Sequence, residues 1–148
     1  MSISLNIMYK GKPTAGIEFY DLLVQSDEFT AELGKVALAS GKLEAELILY
    51  LMRSNINGDF NKVTLGGLIN AAEKNGLIDN NLTIALRQVS KQRNYITHNI
   101  YALFIDLLDE TILEKANLLD SDVHTYLERA LQLKENLNSL ADIIRQKK

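Results

Sequence analysis

At 148 residues, 47% hydrophobic and 24% charged, the chain is long enough to bury a core as one domain without metals or disulfides. It has no cysteine, which excludes a disulfide framework, a thiolate nucleophile and thiolate metal ligation. A net charge of −3 excludes coating of nucleic acid by bulk electrostatics, and apolar runs such as Leu47 to Met52 are far too short to span a bilayer.

The N-terminal pattern, with no basic stretch leading into an apolar one, predicts no signal peptide. Ile3, Leu5 and Ile7 alternate with polar neighbours, as in a short extended arm, and Gly11-Lys12-Pro13 reads as a turn. Thr14 to Gln25 has room for a short helix; residues 1–25 are expected to form an arm, and 26–148 the domain proper. Ser26-Asp27-Glu28 is a helix start, a capping serine followed by acids that complement the helix dipole. Phe29, Leu33, Val36, Ser40, Leu43, Leu47 and Leu51 recur at helical spacing, predicting a long amphipathic helix to about Arg53. Asn55 to Asn61 reads as a turn. Thr64 caps a shorter helix over Leu65 to Lys74, ended by Asn75-Gly76. Asp79 or Asn80 opens another long helix with the stripe Leu82, Leu86, Val89, Ile96, Ile100, Leu103 and Leu107. An irregular stretch near Leu108 to Asp120 precedes a final helix capped by Ser121-Asp122, with the seam Tyr126, Ala130, Leu133, Leu137, Leu140 and Ile144. The fold class is all-α: an up-and-down bundle of four main helices with a short N-terminal arm. With no membrane segment and no disulfides, a soluble, cytoplasmic protein is expected.

Few catalytic constellations survive inspection. Gly66-Gly67 lies inside a helical pattern, with neither a preceding strand nor the lysine-serine pair of a phosphate loop. The two histidines, His98 and His124, are far apart and no Glu-x-x-His pair exists, so neither a metal nor a cofactor is expected. His124 sits in polar surroundings and reads as a solvated surface residue.

The helix from Asn80 is different. Between Asn80 and Ile105 lie three basic residues (Arg87, Lys91 and Arg93) and no acid, whereas the rest of the chain carries 13 basic and 19 acidic residues. The apolar stripe of this helix is interrupted by Arg93, a charge that must snorkel, pair with a carboxylate or line a wet cleft. Asn94, His98 and Tyr101, spaced by four and three, share a face beside that seam. An imidazole can transfer protons near neutrality, and a neighbouring guanidinium can hold a phosphate and stabilise charge on it. That pairing suits metal-free cleavage of RNA through its own 2′-hydroxyl; the bland reading is an ordinary polar helix edge. Five residues on a straight helix turn a side chain by roughly 140°. Arg93 and His98 therefore converge only through arginine's length, a bend in the helix, or a dimer seam. Glu44 faces inward on the first long helix with Ala37, Ser40, Leu47, Ile48 and Leu51. It needs a cation, Arg93 or His98, either as part of a site or as a local ion pair.

The run Arg93-Asn94-x-x-x-His98 in the third main helix of a small bundle resembles the motif of the HEPN (higher eukaryotes and prokaryotes nucleotide-binding) domains. That motif is an arginine, usually followed by a polar residue, with four to six intervening residues before a histidine. Thr64 to Ile69 and Leu43-Glu44 also look like features of the group, and the likeness extends over Ser26 to Ile144. The resemblance implies a metal-independent endoribonuclease of toxin–antitoxin or other defence systems. It implies a homodimer whose motifs face one cleft, with Arg93 and His98 catalytic and Asn94, Glu44 and Tyr101 supporting. RNA and an antitoxin or other protein would be the partners. Some relatives carry a tyrosine two residues after the histidine; here that position is Ile100, and Tyr101 follows it. Other HEPN domains are non-catalytic, so a helical interaction or regulatory module, or a nucleotide-binding domain without turnover, stands beside the enzyme.

Overall fold

The structure, a computed structural model, describes residues 13–14, 16–98, 118–119 and 122–148. The Ile3–Met8 arm, most of the turn after it, Tyr101 with the stripe from Ile100 to Leu107, and nearly all of the irregular stretch lie outside the described residues. A two-residue bridge pairs β1 (Pro13–Thr14) antiparallel with β2 (Leu118–Leu119). The helices are α1 (Gly16–Gln25), α2 (Asp27–Arg53), α3 (Leu65–Lys74), α4 (Asn80–His98) and α5 (Asp122–Arg145). The chain is thus an all-α bundle in which α2 to α5 are the four main helices.

The helix starts are where their capping chemistry puts them. The Phe29 amide donates to Ser26 Oγ at 3.1 Å, with Asp27 and Glu28 in the first turn of α2. The Gly67 amide donates to Thr64 Oγ1 at 3.1 Å, and the Leu82 amide to Asp79 Oδ1 at 2.7 Å. The two candidate starts for α4 are thereby resolved in favour of Asp79 as its cap. Gly76, at φ 69°, supplies the left-handed step after α3.

The core is the meeting of the predicted seams. Leu43, Leu47 and Leu51 of α2, Leu65, Leu68 and Ile69 of α3, Leu86 of α4 and Tyr126, Leu133 and Leu137 of α5 are all buried. Leu23 of α1 joins them, so the segment before Ser26 contributes to the same core. Ala37, grouped by sequence with the inward residues, is exposed, because the buried arc of α2 is centred on Val36, Leu43 and Leu47.

Polar contacts fix the helix directions. Arg53, in the last turn of α2, donates from Nη2 to the Ile144 carbonyl at 2.8 Å and from Nε to the Lys147 carbonyl at 3.0 Å. Near the other end of α2, Glu32 meets Lys134 at 3.1 Å. Helices α2 and α5 therefore lie side by side and run the same way. Helix α4 runs against them: the Tyr50 hydroxyl donates to the Leu77 carbonyl just before α4, at 2.7 Å, whereas Arg93 far along α4 meets Glu44.

Candidate functional site

Arg93 occupies the position in the α4 seam that its sequence spacing assigns, between Val89 and Ile96, both buried. Its neighbour Gln92, 6% exposed, takes the deeper place. Sequence reasoning missed Gln92, although three residues from Val89 and four to Ile96 is equally good helical spacing. Gln92 lines a groove of about 280 Å³ between α4 and α5, with Asn136 and Ser139.

The Arg93 side chain is 24% exposed and its Nη2 stands 3.8 Å from Glu44 Oε2. At that distance the two charges attract without a hydrogen bond. Arg93 Nε is buried and has no hydrogen-bond partner among the described residues. Leaving a buried N–H unmatched costs about 1–3 kcal/mol. Glu44 is itself half-buried and, as the apolar pattern of α2 requires, has found its cation across the helix interface.

His98 is exposed at the end of the described part of α4, and no polar contact joins it to Arg93 or Glu44 among the described residues. Helix α4 is unbroken between Arg93 and His98, so no bend brings them together. The Thr97 hydroxyl is shared between the Arg93 carbonyl at 2.9 Å and the Asn94 carbonyl at 3.2 Å, which ties this turn to itself.

Asn94 is exposed and opens into a second groove, of about 320 Å³, between α3 and α4. Gly66, Ile69, Arg87, Ser90, Lys91 and Tyr95 complete its lining. Arg87 donates to Asn70 Oδ1 at 2.8 Å and pairs with Glu73, bracing the two helices. Lys91 Nζ lies 5.8 Å from the centre of the Tyr95 ring. Of the cationic stretch visible in the sequence, Arg87 and Lys91 line this groove together with an aromatic ring, while Arg93 turns to Glu44 on α2. Tyr95 was not singled out in the sequence, and its only signal was its place four residues after Lys91.

Sequence and structure thus agree on the Glu44–Arg93 pair, with Asn94 beside it on the adjoining face. The structure does not bring His98 to that pair within one chain, and Tyr101 lies outside the described residues. His124 is largely exposed, 3.0 Å from Glu128 one turn on, as a surface histidine should be. Among the described residues no helix is long and apolar enough to cross a membrane. Compared with protein-family models, with curated proteins and with solved structures, the chain matches none.

Proposed function

We propose that the protein is a HEPN-type, metal-independent endoribonuclease, associated with a toxin–antitoxin or other defence system. It would act in the cytoplasm as a homodimer with Arg93 and His98 at a shared cleft. The observation that carries this reading is Arg93: a half-buried guanidinium, loosely paired at 3.8 Å, with an unmatched N–H. Such a group binds a phosphodiester oxygen at little further desolvation cost. The groove beside it carries the Tyr95 ring, a surface on which a base can stack.

In the reaction the RNA 2′-oxygen attacks the adjacent phosphorus and the 5′-oxygen leaves, giving a 2′,3′-cyclic phosphate and a 5′-hydroxyl. His98 takes the 2′-hydroxyl proton or returns one to the leaving oxygen. Arg93 neutralises charge growing on the phosphate, Glu44 orients the guanidinium, and Asn94 positions the strand. Because His98 lies away from Arg93 on its own helix, the productive pair would be His98 of one copy and Arg93 of the other.

The test is cleavage of a mixed structured and single-stranded RNA pool in EDTA. Wild type should yield cyclic-phosphate products, and His98→Ala should lower the rate by about 10²–10⁴-fold with melting unchanged. Equal cleavage by both proteins would remove His98 from the chemistry.

A second reading is a non-catalytic HEPN-like interaction or regulatory module. It is favoured by the separation of His98 from Arg93 and by the Glu44 carboxylate that already engages Arg93. It predicts no products from either protein, and a partner whose binding tolerates His98→Ala.

A further inference from the structure

Helix α2 has two apolar faces. One is buried in the core; the other, on the opposite side, carries Ala31, Gly34, Leu38, Gly41, Ala45 and Leu49, all exposed and spaced by three or four residues. Met52 continues the row by three. Leu38 is 78% exposed, Met52 60% and Leu49 51%. Among the described residues the two glycines relieve no crowding, since a Cβ at Gly34 or Gly41 would meet none of their atoms within 4 Å. A helix-interior glycine weakens a helix relative to alanine, so no contact among the described residues explains them.

We infer that this outer face of α2 is a seam on which a second copy of the chain docks antiparallel. With a twofold axis between Gly41 and Lys42, large residues meet small ones. Leu38 lies opposite the second copy's Ala45, Leu49 opposite its Gly34 and Met52 opposite its Ala31. Gly41 meets its own counterpart where the helices approach most closely. The flanking charges match in the same register. Along one edge of the seam Lys35, which also holds Glu32 of its own chain, comes beside the second copy's Glu46, and Arg53, which also clasps the end of α5, beside its Glu28. Neither Glu28 nor Glu46 has a cationic partner among the described residues. A parallel arrangement would instead stack Leu38 on Leu38 and glycine on glycine, wasting the alternation. The row from Ala31 to Met52 is about 32 Å long at the helical rise, a full-length helix–helix contact.

The seam does not rest on the ribonuclease reading, but it bears on it. A twofold perpendicular to two antiparallel helices keeps like flanks on like sides. Lys42 and Asp142 mark the α5 side of each α2, and Glu44 with Arg93 the α4 side. Both Glu44–Arg93 pairs therefore fall on one side of the dimer.

The experiment is sedimentation of the full chain over a wide concentration range, followed by cysteine cross-linking in this cysteine-free background. Wild type should dimerise reversibly. Leu38→Glu should lower the association constant about tenfold or more while melting, at concentrations where both are monomers, stays unchanged. Glu46→Lys, which would face the second copy's Lys35, should also weaken it. Gly41→Cys should form a disulfide-linked dimer on oxidation. Leu38→Cys should cross-link only when mixed with Ala45→Cys, because two Leu38 positions would lie about 10 Å apart along the seam. A monomeric wild type, or a dimer indifferent to Leu38→Glu, would overturn the seam. Cross-linking of Leu38→Cys to itself would overturn its antiparallel register. His98→Ala should leave every one of these readouts unchanged, so loss of cleavage and loss of the seam are told apart.

Discussion

Glu32 is the most constrained carboxylate among the described residues. It lies between α2 and α5 with Lys35 Nζ at 2.9 Å and Lys134 Nζ at 3.1 Å, its side chain 11% exposed. Hydrogen bonding from Lys35, then from Lys134, holds its carboxyl below the usual range, outweighing burial, which pushes the other way. A lowered folded-state pKa means that the ionised form is favoured by folding. The stabilisation is complete above the unfolded-state value and is lost as pH falls from there through the folded value. Glu32→Gln should cost about 1–3 kcal/mol in urea denaturation at neutral pH, and the gap to wild type should close in acid. Arg93→Lys keeps the charge but loses the planar fork. If Arg93 clamps a phosphate, cleavage should fall about tenfold or more with little change in melting temperature. The Arg93–Glu44 pair was partly legible in the sequence: each residue breaks an apolar stripe and needs company, but the stripe alone left Glu44 with either Arg93 or His98, and the packing of α4 on α2 chose Arg93. Glu32 was not, because its burial depends on α5 packing beside it, and nothing within α2 reports Lys134.

Helices begin and end where local chemistry tells them to, which is why both ends of α2 and α3 and the starts of α4 and α5 could be read from sequence almost to the residue. Ser26, Thr64, Asp79 and Asn75-Gly76 each announce a boundary within four residues of it. Helix α1 carries no such signal: its buried residue Leu23 is specified by contact with the core rather than by a stripe of its own. Gly66-Gly67, unhelpful as a phosphate loop, has a structural purpose in α3. A Cβ on Gly67 would come within 2.6 Å of Val63 Cγ1, because the Thr64 cap folds Val63 under the first turn. Gly67→Ala should therefore destabilise the fold by about 1–3 kcal/mol, measured by thermal or urea unfolding. Thr64→Ala should cost about 1 kcal/mol, and the double variant less than the sum, since both changes loosen one turn.

The whole molecule depends on the α2 seam, and Leu47→Ala at its fully buried centre should cost about 2–5 kcal/mol in global unfolding. That a bundle would form was legible, because several apolar stripes of helical period have no other way to leave water. Which of the two stripes on α2 faces inward could be read from its bulk: Leu43, Leu47 and Leu51 outweigh a row thinned by Gly34, Gly41 and Ala45. The relative directions of the helices could not, because they are set by contacts such as Arg53 to Ile144, and no local pattern encodes a contact 91 residues away. That distance has a consequence for how the chain acquires its shape. The α3–α4 brace joins Arg87 to partners 14 and 17 residues away and can close early. The α2–α5 clasp must wait, because α5 leaves the ribosome last of the described helices, and until then the apolar face of α2 has only α1, α3 and α4 to shelter it. The equilibrium cost of so long a loop is slight, since closure entropy grows only with the logarithm of its length, but the rate bears it in full. Arg53→Ala should consequently accelerate unfolding and leave the refolding rate nearly untouched in stopped-flow measurements. The interval before α5 docks is when the nascent bundle is most open to aggregation, or to capture by another chain.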